Sequence, residues 1–128
     1  MPLRTDEDVV RLRQAVREQM VSLGFSLIDQ TKMVTAASEL ARNTLRYGGG
    51  GEGQVQKITQ GMRRGLSLVF TDRGPGIPDI ALALRDGYTS GGGMGLGLSG
   101  AKRLSDEFEL DSTPGEGTTV KIIKWKPY

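Results

Sequence analysis

The chain contains neither cysteine nor histidine. Without thiols there is no disulfide frame, no thiol nucleophile and no zinc–thiolate centre. Without imidazole there is no Ser-His triad, no histidine base and no phosphohistidine, so acid–base work falls to carboxylates, lysine or tyrosine. Long hydrophobic runs are also missing. The longest aliphatic stretch lies around Leu66 to Phe70, far below the roughly 20 residues that a membrane span needs. Met1 to Asp8 carries three acids and no apolar segment of the kind a secretory leader uses, which places the expected location in the cytoplasm. Nor does one sign of charge dominate. Lys and Arg number 17 against 15 Asp and Glu, a net charge of +2, and the basic residues are scattered, so no electrostatic footprint for nucleic acid is present.

What remains is 128 residues, 37% hydrophobic and 25% charged, the profile of one globular domain over residues 1–128. Glycine is the anomaly. Its 19 copies are about twice the usual share of roughly 7%. Five fall in Gly48–Gly53 and nine in Gly74–Gly100, so two loops need permissive backbone or close approach.

Val9, Leu12, Val16, Met20 and Leu23 recur at helical spacing behind a Thr5/Asp8 capping box, predicting a helix from about Asp6 to Leu23 that Gly24 stops. Ser26 and Asp29 repeat the box ahead of a second helix. Its apolar stripe runs through Met33, Val34, Ala37, Leu40, Ala41, Thr44 and Leu45 to a stop at Gly48. Gln54 to Gln60 and Leu66 to Thr71 read as a hairpin, Ile80 to Leu84 as a short helix, and Gly87 to Gly95 as a segment too rich in glycine for regular structure. Leu98, Ala101, Leu104 and Phe108 trace a third helix. Phe108 to Ser112 and Thr118 to Trp125 then pair across Pro114–Gly117. The order ααββ(loop)αββ predicts an α/β two-layer sandwich, with helices on one face of a mixed, mostly antiparallel sheet.

Three motifs carry chemistry. Gly95–Gly100 matches G-x-G-x-x-G, but it follows Tyr88-Thr89-Ser90-Gly91-Gly92-Gly93 instead of a buried strand, which refuses a dinucleotide fold, and a Walker A loop fails at Lys102. The shared mechanism survives: glycines bring backbone N–H groups to phosphate at a helix N-terminus. Asp72-Arg73-Gly74-Pro75-Gly76 ends a strand with an acid that can accept from an exocyclic amine, beside glycines that leave room for a flat ring. At about 100° per residue, Glu39 and Asn43 stack one turn apart, about 40° from each other and nearly opposite the apolar stripe. Taken singly, each has a plainer reading: a flexible surface loop, an Asp turn, and a solvated helix face shared with Arg42 and Arg46.

In this order the motifs resemble the GHKL (Bergerat) ATP-binding fold of histidine-kinase catalytic domains, gyrase, Hsp90 and anti-sigma-factor kinases. Glu39-Leu40-Ala41-Arg42-Asn43 looks like the N box, Asp72-x-Gly74-x-Gly76 the G1 box, Gly93-Met94-Gly95-Leu96-Gly97-Leu98 the G2 box and Gly117-Thr118-Thr119 the closing G-T element. The resemblance implies that Asn43 ligates Mg²⁺ and Asp72 reads the adenine amino group. It further implies that Gly93, Gly95 and Gly97 shape a phosphate lid and that Thr118 supports the adenine end.

Ser38–Asn43, Asp86-Gly87-Tyr88-Thr89-Ser90, Lys102–Phe108 and Lys124-Trp125 are similar to the RsbT-type switch serine/threonine kinases of the bacterial stressosome. Such proteins phosphorylate STAS-domain scaffold or antagonist proteins and then activate a partner such as a PP2C-type phosphatase. The implied function is an ATP–Mg²⁺-dependent protein serine/threonine kinase with Glu39 as general base toward the substrate hydroxyl. Its rival is a nucleotide-gated binding protein that transfers no phosphate and in which Glu39 is structural. The chain departs from the family pattern in three places. No Arg or Lys lies between Arg85 and Lys102 to touch a γ-phosphate, the lid centre Ser90–Gly93 is bare, and the first helix begins so early that an N-terminal edge strand is not evident.

Overall fold

Thr5 and Asp8 start the first helix by serving each other's backbone. The Asp8 N–H donates to the Thr5 hydroxyl at 3.2 Å and the Thr5 N–H donates to the Asp8 carboxylate at 3.2 Å. The computed structural model describes residues 1–77, 84 and 97–127. Its elements are β1 (Pro2–Leu3), α1 (Asp6–Ser22), α2 (Leu27–Arg46), β2 (Gly51–Gln60), β3 (Arg63–Asp72), α3 (Gly97–Leu104), β4 (Glu107–Thr113) and β5 (Gly117–Trp125). The five strands form one sheet in the order β1-β2-β3-β5-β4. Every pairing among the described residues is antiparallel, so the expected mixed sheet contains no parallel pair there. The two-layer α/β sandwich stands as expected, and β1 supplies a short N-terminal edge strand.

One face of the sheet is apolar because strand residues alternate. Leu66, Leu68 and Phe70 of β3 and Val120 and Ile122 of β5 are buried in one core cluster with the helices. The helices answer with Val9, Leu12, Val16 and Met20 from α1, Met33 and Leu40 from α2, and Leu98 and Ala101 from α3. Each large side chain so buried contributes about 1.5–3 kcal/mol. Ala36, Ala37, Ser38 and Ala41 let α2 sit close between its neighbours, and α2 is buried on more than its apolar stripe. The plainer reading of Glu39 as part of a solvated helix face does not hold, since it is only 8% exposed.

Two further expectations change. The second capping box is half formed: Ser26 accepts from the Asp29 N–H at 3.2 Å, but the Asp29 carboxylate turns to Lys124 Nζ at 3.8 Å. Lys124 lies on the inner face of β5, where a cation needs partners. It finds Asp29, Asp106 at 3.6 Å and the Leu104 carbonyl at 3.4 Å, and so ties together α2, the α3–β4 connection and β5. Phe108 belongs to β4, not to the third helix, which ends at Leu104. The short helix expected at 80–84 lies outside the described residues except for Leu84, as does all of 87–95. No helix among the described residues is long and apolar enough to cross a membrane.

The N-terminal cap gives a pH-dependent expectation. The Arg4 backbone N–H, donating to Asp8 at 2.9 Å, is the main cause holding the Asp8 carboxyl below its ordinary value of 3.8. Partial burial opposes this, while Thr5 and Arg11 reinforce it. A carboxyl lowered by folding adds stability above its unfolded value, and that increment is lost as pH falls through the folded value. Asp8→Asn should therefore narrow the gap in thermal midpoint between pH 7 and the acid range below 3.8. An unchanged gap in a titration of midpoint against pH contradicts this role for Asp8.

Candidate nucleotide site

The site gathers at one end of the sheet's helix-covered face. There Gly51, Asp72, Thr118 and Ser112 form a single rung across four strands, Gly51 opposite Asp72, Asp72 opposite Thr118, and Thr118 opposite Ser112. Residues paired this way point to the same side. Asp72 ends β3 in an Asx turn, with Oδ1 accepting from the Gly74 N–H at 2.9 Å. Its Oδ2 makes no hydrogen bond among the described residues. The chain leaving α2 lies directly on this turn. A Cβ at Gly48 would stand 2.4 Å from the Asp72 Cγ, and one at Gly74 would stand 2.7 Å from the Gly48 Cα. Gly76 packs on the Thr113 carbonyl, where a Cβ would come within 2.5 Å.

Glu39 and Asn43 approach from α2. The buried Glu39 accepts the Gly97 N–H through Oε1 at 2.9 Å. Gly97 opens α3, and the first N–H groups of a helix lack partners within it, so a carboxylate there satisfies a donor and meets the positive end of the helix. Glu39 thus joins the start of α3 to α2. Its Oε2 makes no hydrogen bond among the described residues. Asn43 follows one turn later, half-buried, with a side-chain amide that is also unengaged among the described residues. The structure therefore brings Glu39, Asn43 and Gly97 together on one side and Asp72, Gly74, Gly76 and Thr118 on the other, joined through the end of α2. Gly93, Gly95 and Arg85 fall outside the described residues, and Lys102 is exposed on α3.

Residues 28–127 match the family of histidine kinase-, DNA gyrase B- and HSP90-like ATPases. The chain belongs to this family. A serine/threonine-protein kinase RsbT from Bacillus subtilis (strain 168) is 45% identical over 123 residues, covering 96% of this chain and 92% of that protein. An anti-sigma F factor from Pasteuria penetrans is 32% identical over 118 residues, 88% of this chain and 79% of its own. Among solved structures, the RsbU and RsbW domains of Rv1364c from Mycobacterium tuberculosis superpose with a TM-score of 0.62 at 21% identity, over 96% of this chain and 31% of that longer one. The mycobacterial sensor histidine kinase MprB superposes with a TM-score of 0.59 at 21% identity, over 100% of this chain and 99% of its own. These structural likenesses establish the ATPase-family fold.

Within that family fold, sequence reasoning overlooked three residues. Ser112 is a polar residue on the inner face of β4, in phase with Phe108 and Leu110, and that phase was the available signal. Gly48 stops α2 as expected and is also where the chain leaving that helix meets Asp72. Lys124, quoted only as part of a family motif, is a buried cation bridging three segments.

Proposed function

We propose that this chain transfers the γ-phosphoryl group of ATP, with Mg²⁺, to a serine or threonine hydroxyl of a STAS-domain scaffold or antagonist protein. In this reading it acts in the cytoplasm within a bacterial stress-signalling switch, releasing the chain to a downstream partner such as a PP2C-type phosphatase. Its standing as a protein serine/threonine kinase rests on the ATPase family and on the 45% identical kinase relative. The observation that supports the site assignment is the bond of Glu39 to the first residue of α3, with Asn43 one turn further along α2 and the chain leaving α2 packed on Asp72.

In this reading Asp72 Oδ2 accepts the adenine amino group and Gly74 and Gly76 leave space for the ring. Thr118 supports the same end, and Gly93, Gly95 and Gly97 bring backbone to the phosphates. The Asn43 amide, unengaged among the described residues, suits Mg²⁺, a hard cation that takes one or two protein oxygens and fills its octahedron with phosphate and water. When bound, the cation neutralises phosphate charge. Phosphoryl transfer needs mainly positioning and electrostatics. The one proton to be moved leaves the substrate hydroxyl, and Glu39 Oε2 receives it while Oε1 stays on Gly97.

Incubating the chain with γ-labelled ATP and a genomically neighbouring STAS protein tests this directly. Label on the STAS protein is the expected result, and label confined to ATP and free phosphate opposes it. Asn43→Ala should weaken Mg–ATP binding about tenfold or more, the scale of one lost charged-group hydrogen bond or ligand, yet leave ADP without Mg²⁺ nearly unchanged. Equal losses with and without the metal in calorimetry would make Asn43 a part of the helix and not a ligand. The Glu39–Gly97 hydrogen bond also favours a second reading, a nucleotide-gated binding protein in which Glu39 only fixes α3. Nucleotide-dependent complex formation without label transfer is its signature.

A further inference from the structure

Ser112 Oγ stands at a crossing of three hydrogen-bond partners. The Ile77 N–H donates to it at 2.7 Å, Thr118 Oγ1 lies 2.8 Å away and the Gly117 carbonyl 3.3 Å away. A serine hydroxyl has one proton and two acceptor lone pairs. Ile77 occupies one lone pair. At 2.8 Å the Ser112–Thr118 contact falls inside the usual O–H···O range, and either hydroxyl can donate across it. If Thr118 donates, Ser112 keeps its proton for the Gly117 carbonyl at 3.3 Å, and if Ser112 donates, that longer contact is given up. With Ser112 as the donor, the Thr118 proton points away from Ser112.

On the far side of Thr118, directly opposite across the β3–β5 pairing, is Asp72, whose Oδ2 is unengaged among the described residues. With Ser112 as donor, the rung offers an anionic acceptor beside a hydroxyl donor. We propose that Ser112 takes the donor role toward Thr118 and is thereby a positioning residue for nucleotide specificity, setting the direction of the Thr118 hydroxyl and clamping the 74–77 turn to β4. This rests on the adenine-nucleotide reading above and adds to it. Adenine presents an amino donor next to a ring-nitrogen acceptor, which this pair matches. Guanine presents a carbonyl acceptor next to an N–H donor, the reverse order, which leaves both protein groups facing a like partner. Ser112 touches no base in this scheme and acts through Thr118.

The test is calorimetric titration of ATP and GTP against the full chain and its variants, with thermal midpoints measured alongside. The wild type should favour ATP by about tenfold or more, the scale of one or more mismatched hydrogen bonds. Ser112→Ala frees the Thr118 hydroxyl to rotate, so ATP affinity should fall about tenfold with GTP nearly unchanged, and the preference should collapse. Ser112→Thr, which keeps the hydroxyl, should restore the preference. Thr118→Val should reproduce the collapse, and adding Ser112→Ala to it should cost no further selectivity, since the two act as one unit.

Proportional loss of ATP and GTP in Ser112→Ala would reduce Ser112 to a loop clamp and overturn the proposal, as would additive effects of the two substitutions. If Ser112→Ala does not fold, an unaltered ATP preference in Thr118→Val overturns the proposal by itself. A wild type that binds ATP and GTP equally defeats the adenine reading and this inference together. A wild type that prefers ATP but transfers no label defeats only the kinase mechanism.

Discussion

Glu39→Gln is expected to slow phosphoryl transfer by about 10²–10⁴-fold, the usual contribution of a general base, while Mg–ATP binding and partner binding stay within a few fold. The substitution is chosen for what it leaves in place. The amide oxygen of Gln can still accept the Gly97 N–H, so the 2.9 Å link between α2 and α3 has a substitute and α3 keeps its anchor. Side-chain length and helix propensity are nearly the same. What disappears is the anionic oxygen able to receive a proton, and the chain has neither His nor Cys to take over. Single-turnover transfer of labelled phosphate reads the effect. Nucleotide titration and the thermal midpoint separate it from a loosened α2–α3 contact, which would weaken binding as well. Full transfer by the variant would leave Glu39 as an anchor only. An inactive wild type that still forms a nucleotide-dependent complex would assign the chain to the non-catalytic reading.

The helices were legible in the sequence because their determinants are local. The Thr5 cap, the stripe from Val9 to Met20 and the stripe from Met33 to Leu40 each lie within one element, and all recur in the structure. The burial of Glu39 was not legible because a single stripe defines one buried face. α2 is instead enclosed by α1, α3 and the sheet, and the partner of Glu39 lies 58 residues further on. Asp29 left its cap for the same kind of reason, a buried lysine from the last strand. Phe108 satisfies both a helical stripe and a strand alternation, and only the pairing Phe108 opposite Ile122 decides between them. β1, two residues long, is too short to show any alternation. At the site, the motif residues Asp72 and Thr118 were legible by their order. Ser112 was not, since its bond to Ile77 spans 35 residues and the rung that joins it to Asp72 exists only once three strand pairings are in register.

That rung makes Gly117→Ala the substitution expected to damage fold and site together, with Gly115→Ala as its internal standard. Both glycines have positive φ, +84° at Gly115 and +119° at Gly117, so alanine is strained at each. That strain amounts to about 1–2 kcal/mol. The surroundings differ. A Cβ at Gly115 meets nothing within 4 Å, whereas at Gly117 it would stand 2.2 Å from the Asp72 carbonyl oxygen and 2.9 Å from the Arg73 Cα. Both atoms are backbone and cannot swing aside, so the end of β3 must separate from β5. Overpacking of this kind adds about 1–3 kcal/mol. Gly117→Ala should therefore lose about 2–5 kcal/mol against about 1–2 for Gly115→Ala, read as denaturant midpoints at constant slope. The displaced atoms carry Asp72 and Thr118, so ATP affinity should fall about tenfold or more in Gly117→Ala and hold in Gly115→Ala. Equal destabilisation by the two would mean that the β3–β5 end yields without cost. A destabilised Gly117→Ala that binds ATP as well as the wild type would move the adenine-binding end away from this rung.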